Sequence, residues 1–204
     1  MGFYGDQVLP RIVNLVLDTK EFSAVRRETC EGLHGDVLEL GFGSGLNLPF
    51  LPDAVNGVWT VEPSGTAMRL ADKRITASPV AVHTVGSDGA SIELPDDRFD
   101  GALSTMTLCT IPDIGSALRE VRRVLKPGAS FHFAEHGHAA SEKVARTQDR
   151  FNGIQKRLAG GCHLNRDIAA LLSNAGFEIE RLRNFYLKGP KAWGYMYVGR
   201  ARSA

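Results

Sequence analysis

Long apolar runs are missing from this chain: no window approaches the ~18 consecutive apolar residues of a membrane-spanning helix. An excess of one charge is missing too. Twenty-four basic residues face 23 acidic ones, for a formal net charge of +1, so no global field draws in nucleic acid or an anionic surface. Cysteine is scarce. Cys30, Cys109 and Cys162 are odd in number and far apart, which excludes a readable disulfide framework or CxxC pair and suits a reducing, cytoplasmic setting. The opening stretch MGFYGDQVLPRIVNLVLD has no basic start, and Pro10, Arg11 and Asn14 break its apolar run; it does not read as a secretory signal. Repeats, low-complexity tracts and long linkers are also lacking.

What is present is ordinary globular composition, 43% hydrophobic and 23% charged over 204 residues, enough for one domain with a substantial core. Val8/Leu9, Ile12/Val13 and Val16 recur at helical spacing, so the N-terminus reads as an amphipathic helix packed on the core. A second helix follows over 21–33. Strands are expected at 36–40, 57–63, 80–86, 98–106 and 129–137. Helices are expected from Ser64 to about Arg74, over 113–128 with a stop at Pro127-Gly128, and in two later segments, the second capped by Asn165. FEIERLRNFYL and WGYMYVGRA close the chain with strand-like patterns. Alternating strands and helices predict an α/β, Rossmann-like, mostly parallel sheet with helices on both faces. The expected division is an N-terminal helical lid over 1–34 and a core over 35–204.

In such a sheet, ligands bind beyond the carboxyl ends of the strands. The first strand, VLEL, runs into Gly41-Phe42-Gly43-Ser44-Gly45, glycines that let peptide N–H groups approach a ligand closely. Alone, this is a weak signal. Glu62 closes the second strand, where a carboxylate can accept both hydroxyls of a ribose. Asp88 follows the third strand, placed for an exocyclic amine of adenine. Three acidic or glycine-rich strand ends in succession point to an adenosine ligand. A dinucleotide site would space its glycines GxGxxG against a pyrophosphate. Here the spacing is GxGxG, and Glu39 stands two residues before it. That acid disfavours a pyrophosphate and suits the cationic end of S-adenosylmethionine.

From about residue 36 to 136 the chain resembles the class I S-adenosylmethionine-dependent methyltransferases. VLELGFGSG looks like the family's first motif, VEPS its second, GSDGASIELPDDRFD its third region, and LREVRRVLKPGASFHFAEH the closing helix and strand. The resemblance implies a seven-stranded sheet with an antiparallel last strand. It places Gly41, Gly43 and Gly45 against the methionine moiety and ribose, with Glu39 and Asn47 beside the amino group. Glu62 would hold the ribose, Pro63 and Ser64 would flank the adenine, and Asp88-Gly89 would read its edge. Ser104 and Thr105 would lie near the sulfonium. Apart from the resemblance, Tyr4 reads either as part of a lid folding over the cofactor or as a packing tyrosine. Phe42 departs from the smaller residue usual at its position, which implies local repacking.

Methyl transfer needs alignment and exclusion of water more than acid–base machinery, and the sequence contains no conspicuous catalytic dyad. STMTLCTIPD after the fourth strand lacks the Asn/Asp-Pro-Pro-Tyr/Phe loop of enzymes that methylate planar nitrogens. A small-molecule acceptor is therefore expected, with no nucleic acid, and no transmembrane segment beyond peripheral membrane contact. FDGALSTMTLCTI, FHFAEHG and LAGGCHLNRD…AGF…GYMYVG also resemble the alkyl thiol methyltransferases. Those relatives carry an N-terminal membrane anchor that this sequence does not show. The resemblance makes a thiol or hydrogen sulfide the leading acceptor, ahead of N-, O- or C-methylation of a lipid head group, quinone or other metabolite. A non-catalytic S-adenosylmethionine-binding protein is the rival from another class. His136 is the candidate catalytic base or polar anchor. Cys162-His163 has no partner pair at metal-ligand spacing, so no metal is expected, and Cys109 reads as a small buried residue. Phe185, Tyr186, Trp193, Tyr195 and Tyr197 read as packing for the last two strands.

Overall fold

The computed structural model describes residues 2–203, leaving Met1 and Ala204 outside the description. Its elements, in order, are α1 (Leu9–Leu17), preceded by a π-type turn over Tyr4–Val8, α2 (Lys20–Cys30), β1 (Gly35–Leu40), β2 (Val55–Val61), α3 (Gly65–Ala77), β3 (Ala81–Gly86), β4 (Phe99–Thr105), α4 (Ile114–Val124), β5 (Leu125–His136), α5 (Glu142–Leu158), α6 (Ile168–Asn174), β6 (Phe177–Tyr186), α7 (Lys191–Gly194) and β7 (Tyr195–Ser203). The sheet order is β3-β2-β1-β4-β5-β7-β6. Strands β1 to β5 pair in parallel, and β7 inserts antiparallel between β5 and β6. The Rossmann-like sheet with an antiparallel last strand is thus as expected, and the strand order reverses between β1 and β4, the crevice where ligands bind.

The central strands are apolar along most of their length because both faces are covered. Phe99, Leu103, Phe131 and Phe133 are fully buried, and each such side chain contributes roughly 1.5–3 kcal/mol by leaving water. Helix α4 lays Ile114, Ala117, Leu118, Val121 and Val124 on the sheet at helical spacing. Its N-terminus is set by Asp113, whose carboxylate accepts from Ser116 N–H at 3.0 Å. The edge strand β3 is mostly exposed, and β6 carries alternating charge outward, as edges must to resist pairing with other chains.

Between β1 and β2 there is no α-helix; residues 43–47 turn, and a single 3-10 turn at Leu48–Phe50 leads to β2. Pro49 and Pro52 leave no room for a longer helix. α2 takes up the adjoining space, and its Cys30 joins Leu33, Val37, Phe42, Leu48, Val58 and Leu103 in one apolar cluster. Phe42 is therefore buried. Three local expectations are corrected. Pro127-Gly128 does not stop a helix; α4 ends at Val124 and the pair lies inside β5, where the register with β4 shifts. α6 is capped by Asp167, which accepts from Ala170 N–H at 3.0 Å, while Asn165 bonds Asp149 instead. Finally, α1 buries no residue: Leu15 and Val16 are more than half exposed. Its polar side meets the core, with Asn14 on the glycine loop and Asp18 paired to Arg74 at 2.7 Å. Among the described residues no helix is long and apolar enough to cross a membrane.

Candidate active site

The glycine loop is shaped by its backbone. Gly41, Gly43 and Gly45 have φ of 77°, 58° and 73°, the left-handed region that side chains resist. A Cβ on Gly41 would lie 2.2 Å from the Thr107 side chain, whereas a Cβ on Gly43 would meet nothing within 4 Å. The loop is packed on one side and open on the other. Glu62 holds it: one carboxylate oxygen accepts Gly43 N–H at 2.7 Å and the other accepts Ser64 N–H at 2.8 Å. Burial raises the Glu62 pKa against the pull of these two backbone donors. Each oxygen keeps a lone pair for a further donor.

Glu39, on β1, is completely buried. Its Oε1 accepts Asn47 Nδ2 at 2.6 Å, while Oε2 has no partner among the described residues. Burial pushes the carboxyl up to about 8, although Asn47 and the Arg26 charge favour the ionised form. An orphaned carboxylate oxygen at a strand end is a place for one more cationic donor. Arg26, from α2, donates to Asn47 Oδ1 at 2.8 Å and Thr105 Oγ1 at 2.7 Å. Asn47 Nδ2 also reaches Thr105 Oγ1 at 3.0 Å. Glu39, Asn47, Thr105 and Arg26 therefore form one buried polar network. Sequence reasoning missed Arg26, because an arginine in the doublet Arg26-Arg27 of an amphipathic helix carries no sign of which one turns inward.

Successive residues of a strand point to opposite faces. Thr105 turns to that network, and Ser104 turns the other way to donate to Glu135 at 3.0 Å. Glu135 was also missed. It is fully buried, and the same oxygen accepts Thr107 N–H at 2.8 Å and Leu108 N–H at 3.0 Å, fixing the loop after β4. His136, next along β5, is buried beside Cys162, with Nε2 3.0 Å from Sγ. Burial lowers its pKa to about 4, so the imidazole is neutral at physiological pH.

The remaining residues lie further out. Ser64 caps α3 through Ala67 N–H at 3.1 Å, and Pro63 is exposed beside it. Asp88 is exposed, and its carboxylate accepts Ala90 N–H at 2.9 Å. Gly89 approaches β1 closely, since a Cβ there would lie 2.7 Å from Leu40 Cδ1. Tyr4 is not on the glycine loop: its hydroxyl donates to the Leu158 carbonyl at 2.8 Å, at the end of α5. Contact between the N-terminal segment and the loop comes instead from Asn14, whose Oδ1 accepts Ser44 Oγ at 2.6 Å. Of the aromatic run, Tyr186, Tyr195 and Tyr197 pack ring against ring, with Tyr195 and Tyr197 centroids 5.6 Å apart.

The sequence and the fold both have known counterparts. The model of the methyltransferase domain family matches residues 38–133. Human thiol S-methyltransferase TMT1A is 26% identical over 194 residues, covering 93% of this chain and 76% of that protein. Human thiol S-methyltransferase TMT1B is 31% identical over 165 residues, 77% of this chain and 66% of that one; the chain spans only 59% of the rat TMT1B. The solved S-adenosylmethionine-dependent methyltransferase of Methanosarcina mazei superposes with a TM-score of 0.65 at 22% identity, over 82% of this chain and 91% of the other. That of Aquifex aeolicus gives 0.67 at 18%, over 96% and 98%. Glycine loop, strand-end acids, sheet order and these relatives agree: the chain belongs to the class I S-adenosylmethionine-dependent methyltransferases, with S-adenosylmethionine as its cofactor.

Proposed function

We propose that this methyltransferase transfers the methyl group to the sulfur of a small thiol or of hydrogen sulfide. The similarity to a human thiol S-methyltransferase over 93% of the chain carries the reading, because it extends well beyond the cofactor-binding half. A thiol with a free pKa near ~8.5 is partly thiolate at neutral pH and needs little help to become the nucleophile. That agrees with a site in which His136 is neutral and only weakly basic.

S-adenosylmethionine, when bound, supplies an electrophilic methyl group on a sulfonium. In this reading Glu39 Oε2, with Asn47 behind it, takes the cationic amino group, and the open side of Gly43 admits the ligand's backbone-hugging portion. Glu62 uses its free lone pairs for the ribose hydroxyls. Pro63, Ser64, Asp88 and Gly89 border the adenine, and Ser104 and Thr105 stand where β4 ends, nearest the reacting carbon. The segment 1–34 acts as a lid, through Asn14 on the glycine loop, and Tyr4 anchors its first turn on α5 rather than touching the cofactor. Arg26 is a positioning residue that holds Asn47 and Thr105.

A second reading is C-methylation of a quinone precursor. It is favoured by 36% identity over 74 residues to the ubiquinone/menaquinone biosynthesis C-methyltransferase of Caulobacter vibrioides, although that stretch is 36% of this chain. Comparing kcat/KM for hydrogen sulfide and short alkyl thiols with those for quinols, phenols and amines tests the two. Preference for sulfur supports the proposal; turnover of quinols without thiols refutes it.

A further inference from the structure

Three buried side chains from three separate segments of the chain meet beside the carboxyl ends of β4 and β5. Cys109 follows β4, His136 ends β5, and Cys162 lies between α5 and α6. Their ligating atoms all lie within 4.8 Å of one another. Cys162 Sγ is 3.7 Å from Cys109 Sγ and 3.0 Å from His136 Nε2. We propose that Cys109, His136 and Cys162 form a three-ligand site for a thiophilic divalent cation, Zn²⁺ foremost, whose fourth position receives the acceptor thiol. The first half of this is independent of the function proposed above, and the second half rests on it.

Two of the three ligand separations lie close to those of tetrahedral zinc, and the third is within 4.8 Å. Zn–S bonds of about 2.3 Å at the tetrahedral angle separate two sulfurs by about 3.8 Å, against the 3.7 Å found. The matching N···S separation is about 3.6 Å, so the imidazole needs to withdraw by roughly half an ångström. The chemistry fits as well. Two thiolates cancel the charge of a divalent ion, and a neutral group is what a buried position tolerates. His136 Nδ1 is buried with no partner among the described residues; a proton held there leaves Nε2 free to coordinate. Two cysteines and one histidine leave tetrahedral zinc with an open position, the arrangement of reactive rather than structural sites. The sequence gives no warning of it, because the ligands stand 27 and 26 residues apart in chain order (109, 136, 162) and form no short motif.

The surroundings tie this cluster to the reaction. Glu135 accepts Ser104 Oγ and the Thr107 and Leu108 amides, and so sets the loop that carries Cys109. Arg166 donates to the carbonyls of Leu108 and Ile111 on either side of that loop, where its charge offsets the extra anion when a third thiolate joins the ion. A thiol entering the fourth position loses its proton to solvent on coordination. Its sulfur lone pair then forms the new bond to the methyl carbon. The bond from that carbon to the cofactor sulfur breaks, its electron pair stays on that sulfur, and a neutral thioether departs because it is a poor ligand.

The test starts from full-length protein made with zinc supplied, and measures metal content and Co²⁺ spectra. We expect about one zinc per chain, and on replacement by cobalt a strong sulfur-to-cobalt charge-transfer band with tetrahedral visible bands. Cys109→Ser and Cys162→Ser should each lose that signature while still binding S-adenosylhomocysteine, which shows that they fold; Cys30→Ser, remote in the α2 cluster, should keep it. Protein that holds no metal and shows no cobalt–thiolate band with all thiols reduced overturns the site. Adding ethanethiol should shift the visible cobalt bands, and unshifted bands overturn the open position alone. Bound metal with no methylation of any thiol leaves the site standing and refutes the acceptor reading instead.

Discussion

Replacing Glu39 by glutamine should make the cofactor-free protein more stable and its cofactor binding much weaker. The carboxyl has no exposure to solvent and is held at about 8 by burial, against ~4.3 in an unfolded chain. Between those values the folded state holds a proton that the unfolded state has released, so stability falls as pH rises through that window. At pH 7 the gap is nearly three units at ~1.4 kcal/mol each, a ceiling of ~4 kcal/mol; relaxation and water entry leave a gain of about 1–3 kcal/mol for glutamine. The amide oxygen still accepts Asn47, so little is lost in exchange. In the proposed site the same substitution removes the anion that would face the ligand's ammonium, worth ~1.5–3 kcal/mol, or about 10–150-fold in affinity. Urea unfolding from pH 4 to 9 and calorimetric titration with S-adenosylhomocysteine measure the two effects. The stability difference should vanish near pH 4 and level off above pH 8, and binding by the parent protein should release a proton below pH 8. Unchanged affinity, or a Glu39→Gln variant that is less stable than the parent at pH 8, would refute the reasoning.

Glu62→Ala frees Gly43 N–H and removes the proposed ribose contacts, and should weaken S-adenosylhomocysteine binding by roughly 10–100-fold in the same titration. Gly43→Ala should cost only ~1–2 kcal/mol of stability, from its left-handed backbone, yet abolish binding, because its new methyl occupies the open side of the loop. Gly41→Ala, aimed at Thr107 from 2.2 Å, should destabilise the protein further, and thermal unfolding separates the pair. Arg26→Met leaves Asn47 Oδ1 and Thr105 Oγ1 without their buried donor and should cost ~1–3 kcal/mol. It should also raise the pH at which binding reaches half its maximum, since the Arg26 charge favours ionised Glu39.

The parallel sheet and the shape of the glycine loop were legible because their signals are local. VLEL ends in glycines that must take positive φ, and VWTVE ends in an acid that the structure ties to Gly43. The departures come from long-range packing. Residues 46–54 carry two prolines and form a single 3-10 turn, and α2 packs beside them, bringing Arg26 to Asn47 across 21 residues. The apolar face of α1 invites a core position, yet its polar residues reach the glycine loop and leave Leu15 and Val16 in solvent. Cys109, His136 and Cys162 read separately as a small core residue, a base and a loop cysteine. Only the closing of β4, β5 and the α5–α6 connection puts them in contact.

Transfer of a deuterated methyl group from labelled S-adenosylmethionine to ethanethiol, followed by mass spectrometry, tests the central claim most directly. The account predicts labelled methyl ethyl sulfide and S-adenosylhomocysteine in equal amounts, with both formed more slowly by Glu39→Gln at limiting cofactor. Tight S-adenosylhomocysteine binding with no labelled sulfide, while a quinol or phenol acquires the label, would contradict it.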